Sequence, residues 1–156
     1  MDKIASFTVN HLTLNPGLYL SREDKVGGQT LKSYDLRFVA PNYEPVLNTA
    51  EIHTIEHIAA TYLRNDPEFK DEVIYFGPMG CRTGFYLILT DKVEPKGVLN
   101  LLKKTFKYIS EFEGEIPGAS AHDCGNFLDQ NLPMARYFSE NYYNVLNEVT
   151  DLTFSY

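Results

Sequence analysis

The sequence predicts an α+β fold, an antiparallel β-sheet with α-helices packed on one face. Three observations carry this. Strand-like runs fill the first part of the chain and return as a pair in its middle. Tight-turn residues join neighbouring runs, as antiparallel pairing requires. Three longer segments instead carry apolar residues at helical spacing.

Taken in order, residues 6–14 and 17–26 mix apolar and polar side chains as strands do, with Pro16-Gly17 between them. Gly27-Gly28 marks a hairpin turn into a third strand, from about Gln29 to Val39, which Pro41-Asn42 ends. A helix follows. Asn48 is placed to cap it, and Glu51 three residues later completes a capping-box pattern. Ile52, Ile55, Ala59 and Leu63 line its apolar face, and Asn65-Asp66-Pro67 stops it. Two strand runs, Glu72–Phe76 and Phe85–Thr90, flank the loop GPMGCRTG. A second helix runs from near Pro95, a residue suited to a first turn, to about Phe112. Leu99, Leu102, Phe106 and Ile109 form its buried stripe. Glu113–Gly118 reads as a loop, and a last helix spans about Pro133 to Val149. That helix turns Ala135, Phe138, Tyr142, Leu146 and Val149 toward the core. No repeat, linker or low-complexity segment intervenes, and 156 residues suit one domain.

Composition narrows the function. Hydrophobic residues at 44% and charged residues at 22% fit a globular protein. A net charge of −7 argues against nucleic acid and against an anionic membrane surface, since both select a basic face. The opening MDKIASFTVNHLTL has neither a long apolar run nor a small-residue cleavage site. No stretch approaches the roughly 18 apolar residues of a membrane span. The expected location is the cytoplasm. Two reduced cysteines are then better read as ligands or reactive thiols than as a disulfide.

The most informative stretch is His53-Thr54-Ile55-Glu56-His57. Residues four apart on a helix share a face, so two imidazoles can hold one divalent metal ion from adjacent turns. Glu56 lies on the same side and can reach a bound water or substrate. This H-x-x-E-H order is the inverted zincin motif. A catalytic site usually takes three protein ligands and leaves one position open. Cys124, in His122-Asp123-Cys124-Gly125-Asn126, is the best third ligand, with His122 as its rival. Cys81 sits between glycines in Gly80-Cys81-Arg82-Thr83-Gly84. Arg82 and nearby amides favour a thiolate there, and a thiolate can carry protons.

The whole chain resembles the LuxS family, the S-ribosylhomocysteine lyases of bacteria. The matching residues are Ser6-Phe7, Asn10-His11, Asp35-Leu36-Arg37-Phe38, His53-Thr54-Ile55-Glu56-His57, Tyr62-Leu63-Arg64, Pro78 through Phe85, and Cys124-Gly125-Asn126. The resemblance implies a LuxS-like fold and a homodimer with active sites at the subunit interface. It implies metal ligation by His53, His57 and Cys124, with ferrous iron native and zinc or cobalt able to substitute. It implies Glu56 and Cys81 as the acid/base pair. Ser6, His11 and Arg37 would contact the sugar or support the catalytic groups, and Arg64 would hold the homocysteine end. The implied reaction cleaves S-ribosylhomocysteine to homocysteine and 4,5-dihydroxy-2,3-pentanedione, the autoinducer-2 precursor. Asn10 and Tyr75 depart from the family's usual acidic residues near those positions.

Two other readings compete. In an inverted-motif zinc peptidase, Glu56 activates water and a downstream glutamate, Glu140 or Glu148, is the third ligand. In a non-catalytic module the metal is structural, and such sites are usually closed by four protein ligands.

Overall fold

The computed structural model describes residues 2, 4 and 7–156. Four strands and three helices follow one another as β1 (Gly17–Val26), β2 (Gln29–Arg37), α1 (Thr49–Asn65), β3 (Val73–Pro78), β4 (Gly84–Thr90), α2 (Pro95–Ser110) and α3 (Leu132–Glu148). A 3-10 turn at Lys70–Glu72 leads into β3. The sheet is antiparallel throughout, in the order β1-β2-β4-β3. This is the expected α+β architecture.

Alternation along the two central strands sorts the faces. Tyr34 and Leu36 on β2, and Phe85, Leu87 and Leu89 on β4, join the buried core with residues of all three helices. Leu36 pairs with Phe85, and Tyr34 with Leu87. Their neighbours Asp35, Arg37, Tyr86 and Ile88 point to the opposite face. Phe38 joins sheet to helices. Its ring stacks on Tyr142 of α3 at 4.1 Å and meets Phe106 of α2 and Phe85 of β4 at 5.3 and 5.1 Å. The Tyr142 hydroxyl donates to Gly17 O at the start of β1.

Helix α1 starts where its capping residues predict. Asn48 N–H donates to the Glu51 carboxylate at 2.6 Å, satisfying a first-turn donor. Ile52, Ile55, Ala59 and Leu63 are buried as expected. Helices α2 and α3 bury Leu99, Leu102, Phe106, Ile109, Ala135, Tyr142 and Leu146. Phe138 and Val149 are only partly buried against this core. None of the described helices is long and apolar enough to cross a membrane.

Three boundaries differ from the expectation. Residues 7–14 form turns rather than a strand. Only Leu14 there is buried, so the mixed pattern lacks a core-facing period, and the Asn10 side chain accepts from Leu12 N–H to make a local turn. Strand β2 stops at Arg37, because the N–H groups of Phe38 and Val39 both turn to Thr83 O. Helix α2 stops at Ser110, where Glu111 and Phe112 bond three residues back and tighten the last turn.

Phe85 is fully buried between Phe38 and Phe76. Phe85→Ala is expected to cost about 3–5 kcal/mol in stability. Urea unfolding followed by circular dichroism measures this, and a loss below about 1 kcal/mol would mean the aromatic cluster is not the centre of the core.

Candidate functional site

Helix α1 turns His53 and His57 outward from the core, one turn apart, so that their rings meet edge to face at 4.5 Å. The long connection between α2 and α3 folds over them. It is fastened to α1 by Asn131 N–H, which donates to the Thr54 hydroxyl at 2.9 Å. Two of its backbone carbonyls seize the rings: Asp129 O lies 2.9 Å from His53 Nδ1, and Pro117 O lies 2.7 Å from His57 Nδ1. Gly118 makes the second contact feasible, since its φ is +68° and a Cβ would sit 3.4 Å from that ring. The same connection delivers Cys124, whose Sγ stands 3.3 Å from His53 Nε2.

The hydrogen bonding decides which ring atoms face one another. A carbonyl can only accept, so Nδ1 is the nitrogen that each carbonyl engages, and Nε2 is the one left facing the other ring. Those two Nε2 atoms are 2.9 Å apart and share the space with a sulfur. An imidazole nitrogen, a second imidazole nitrogen and a sulfur so placed form a donor set of the type that holds a divalent ion. The ligand atoms of His53, His57 and Cys124 all fall within 4.8 Å of one another, the spread a single divalent ion spans. All three residues are half-buried. Carbonyl anchoring of the far nitrogen is also the usual support for a metal-bound histidine.

The rival ligands are elsewhere. His122 is almost fully exposed and pairs with Asp123 at 2.7 Å. Glu140 and Glu148 are exposed on α3 and outside the group, so the third ligand that a peptidase reading needs is not there. Among the described residues the group has three protein donors rather than the four usual for a closed structural site. Glu56 is half-buried on α1, next to His57.

A second cluster forms where β2 meets the β3–β4 loop. Arg37 forks onto Asp35, with Nε 3.1 Å from Oδ1 and Nη2 2.5 Å from Oδ2, and both side chains are buried. Arg37 Nη1 donates to the Thr83 hydroxyl at 2.6 Å and stands 4.0 Å from Cys81 Sγ. The guanidinium has no lone pair, so Thr83 accepts from it, and the Thr83 hydroxyl, 3.1 Å from Cys81 Sγ, donates to that sulfur whenever it is a thiolate. Partial burial raises the Cys81 thiol, but the hydrogen bonds from Thr83 and the charge of Arg37 outweigh it, and its pKa falls below the usual thiol value. The loop itself is held in place: Arg82 adopts a left-handed φ of 61°, and its carbonyl accepts from Leu47 N–H. Gly84 is required beside it, because a Cβ there would lie 2.1 Å from Leu36 O.

The remaining residues named from sequence are more dispersed. His11 is half-buried in the 7–14 turns, with Nδ1 2.9 Å from Val9 O. Arg64 is exposed and donates to Val73 O and Ile74 O on β3. Ser6 lies outside the described residues. Tyr75 is half-exposed and lines a cavity of about 260 Å³ with Ser21, Arg22, Ser33 and Tyr86 on the sheet face away from the helices. Sequence reasoning missed Thr83 and Asp35 as functional partners. Both had a signal, since Asp35 and Arg37 are two apart on a strand and share a face, and Thr83 follows Cys81 by two.

An antiparallel sheet backed by helices, with two histidines of one helix and a cysteine of a connecting segment gathered together, defines an α+β protein with a candidate metal site. The family model described as S-Ribosylhomocysteinase (LuxS) matches residues 4–152. Among curated proteins, the S-ribosylhomocysteine lyase of Clostridium beijerinckii is 55% identical, over 100% of this chain and 99% of its own length. That of Finegoldia magna is 56% identical over 96% and 94%, and that of Porphyromonas gingivalis 49% over 97% and 94%. The chain belongs to the S-ribosylhomocysteinase (LuxS) family.

Thr83→Val keeps the shape of the residue and removes the hydroxyl. Alkylation of Cys81 by iodoacetamide at neutral pH is expected to slow roughly three- to tenfold, with the whole pH profile displaced upward. An unchanged profile, read at the Cys81 peptide by mass spectrometry, would show that Thr83 does not stabilise the thiolate.

Proposed function

We propose that this protein is an S-ribosylhomocysteine lyase, which cleaves its substrate to homocysteine and 4,5-dihydroxy-2,3-pentanedione. The observation that carries the reading is the convergence of His53 Nε2, His57 Nε2 and Cys124 Sγ, with Glu56 on the same helix, in a chain of this family.

The reaction moves a sugar carbonyl from C1 to C2 and then to C3, and ends in β-elimination. Each shift removes a proton from a carbon beside a carbonyl and returns it to the neighbouring carbon. In the last step a proton leaves C4, the C5–sulfur bond breaks, and the sulfur departs with the electron pair to become the thiol of homocysteine. His53, His57 and Cys124 would hold a divalent ion, which would supply Lewis acidity toward the sugar oxygens. Glu56 and Cys81 carry the protons. A carboxylate serves as general base, and a thiol of lowered pKa works in both directions near neutrality. Arg37 holds Cys81 in its ionisable state. His11 and Ser6 are assigned to the sugar and Arg64 to the homocysteine end.

We further take residues 1–156 as one domain that works as a homodimer with sites at the subunit interface, in the cytoplasm, with ferrous iron as the native ion. His–thiolate sites accept iron, zinc and cobalt alike, so supply in the cell decides much of the outcome.

Thiol release from S-ribosylhomocysteine by anaerobically purified, ferrous- or cobalt-loaded protein is the direct test. Glu56→Gln and Cys81→Ala are each expected to keep the metal, measured by elemental analysis, and to lose about 100-fold or more of the release rate. His57→Ala and Cys124→Ala lose the metal first. Normal turnover by either of the first pair would remove that residue from the proton path, and no release by the loaded wild-type protein would refute the substrate.

A further inference from the structure

We infer that Tyr156 is a positioning residue that sets the ionisation of Cys81 through Asp35 and Arg37. This rests on the reading of Cys81 as a proton carrier. After α3 the chain returns along the outer edge of β1, where Leu20 N–H donates to Phe154 O at 2.8 Å. Phe154 is 3% exposed, meets Tyr34 edge-on at 6.0 Å, and takes a left-handed φ of 52°. A non-glycine residue holds that conformation only where its surroundings over-determine it. The bend brings Tyr156 over the sheet face away from the helices. Its ring stacks on Tyr19 at 4.8 Å with planes 7° apart, and its hydroxyl donates to Asp35 Oδ2 at 3.0 Å.

That oxygen is the one that also accepts Arg37 Nη2, and Asp35 is completely buried. Tyr156, Asp35, Arg37, Thr83 and Cys81 therefore form one continuous chain of hydrogen bonds and charge. A carboxylate sharing its charge with a tyrosine hydroxyl opposes a nearby thiolate less than one that bears it alone. Burial, and behind it the Asp35 carboxylate, raise the Tyr156 phenol against a hydrogen bond with Ser21, so the hydroxyl stays a donor at any working pH. Other charged and titratable groups facing the cluster are Tyr19 and Arg22 on β1, Tyr86 on β4 and Tyr142 on α3. The three tyrosines are raised by burial first and then, as a nearby negative charge, by Asp35; they remain neutral through the range in which Cys81 ionises.

Tyr156→Phe is the test, because it keeps the stacked ring and removes only the hydroxyl. In metal-loaded protein, Cys81 alkylation by iodoacetamide at neutral pH is expected to slow about threefold, with its pH profile displaced upward. Tyr19→Phe, whose hydroxyl donates to Asn15 O instead, is expected to leave the profile where it is. A Tyr156→Phe profile identical to wild type would overturn the inference, as would an equal displacement in Tyr19→Phe. A displaced profile in Tyr156→Phe, together with undiminished thiol release by Cys81→Ala, would uphold the link from Tyr156 to the Cys81 thiol but overturn its part in the reaction.

Discussion

Two backbone carbonyls decide what the H-x-x-E-H helix can do. By engaging Nδ1 of His53 and of His57, Asp129 O and Pro117 O orient both Nε2 atoms toward one another. Those carbonyls belong to a connection with little regular structure, and the rest of the fold serves to hold that connection still. Helix α1 presents the rings, and α2 and α3 anchor the two ends of the connection. The hydroxyl of Thr54, buried on α1, receives the last residue before α3. A loop that brings Cys124 to two histidines of another element needs such fastening, because an error of an ångström would spoil the donor set.

The sheet has a comparable division of labour. Its helix-facing side carries the aromatic core and supplies stability. Its other side carries Asp35 and Arg37, a buried ion pair whose desolvation is offset by paired hydrogen bonds and by the further contacts to Thr83 and Tyr156. Such a pair is weak evidence for stability. It is better understood as an orienting device, for it aims one fixed positive charge at a thiol that has lost part of its water. The same strand residues that pack the core on one side thus place the charge on the other, because the strand period is two.

The chain's acidity and its cationic chemistry are compatible on this view. A net charge of −7 is spread over the surface, whereas the groups proposed to handle substrate are local: one guanidinium, one thiol and one donor set for a divalent ion. Local fields in a partly desolvated site outweigh the screened field of distant surface charges.

Much of the fold was legible in order and type. Period-two and period-3.6 patterns, the Gly27-Gly28 turn, the Asn48–Glu51 pair and Pro95 are local signals, and local signals are what a sequence displays. The turns at 7–14 misled because mixed polarity alone does not reveal whether a core lies alongside. For the site, the sequence by itself determined that His53 and His57 share a helix face, that Cys124 and Cys81 were the thiols to consider, and that family motifs ran the length of the chain. Only the tertiary structure brought Cys124 to His53 and left His122 apart, tied the two imidazoles to Asp129 and Pro117, linked Arg37 to Cys81 through Thr83, and brought Tyr156 to Asp35. Each of these joins residues far apart in the chain, or selects between neighbours by where the backbone turns. Contacts of that kind are fixed by packing, which no local spacing encodes.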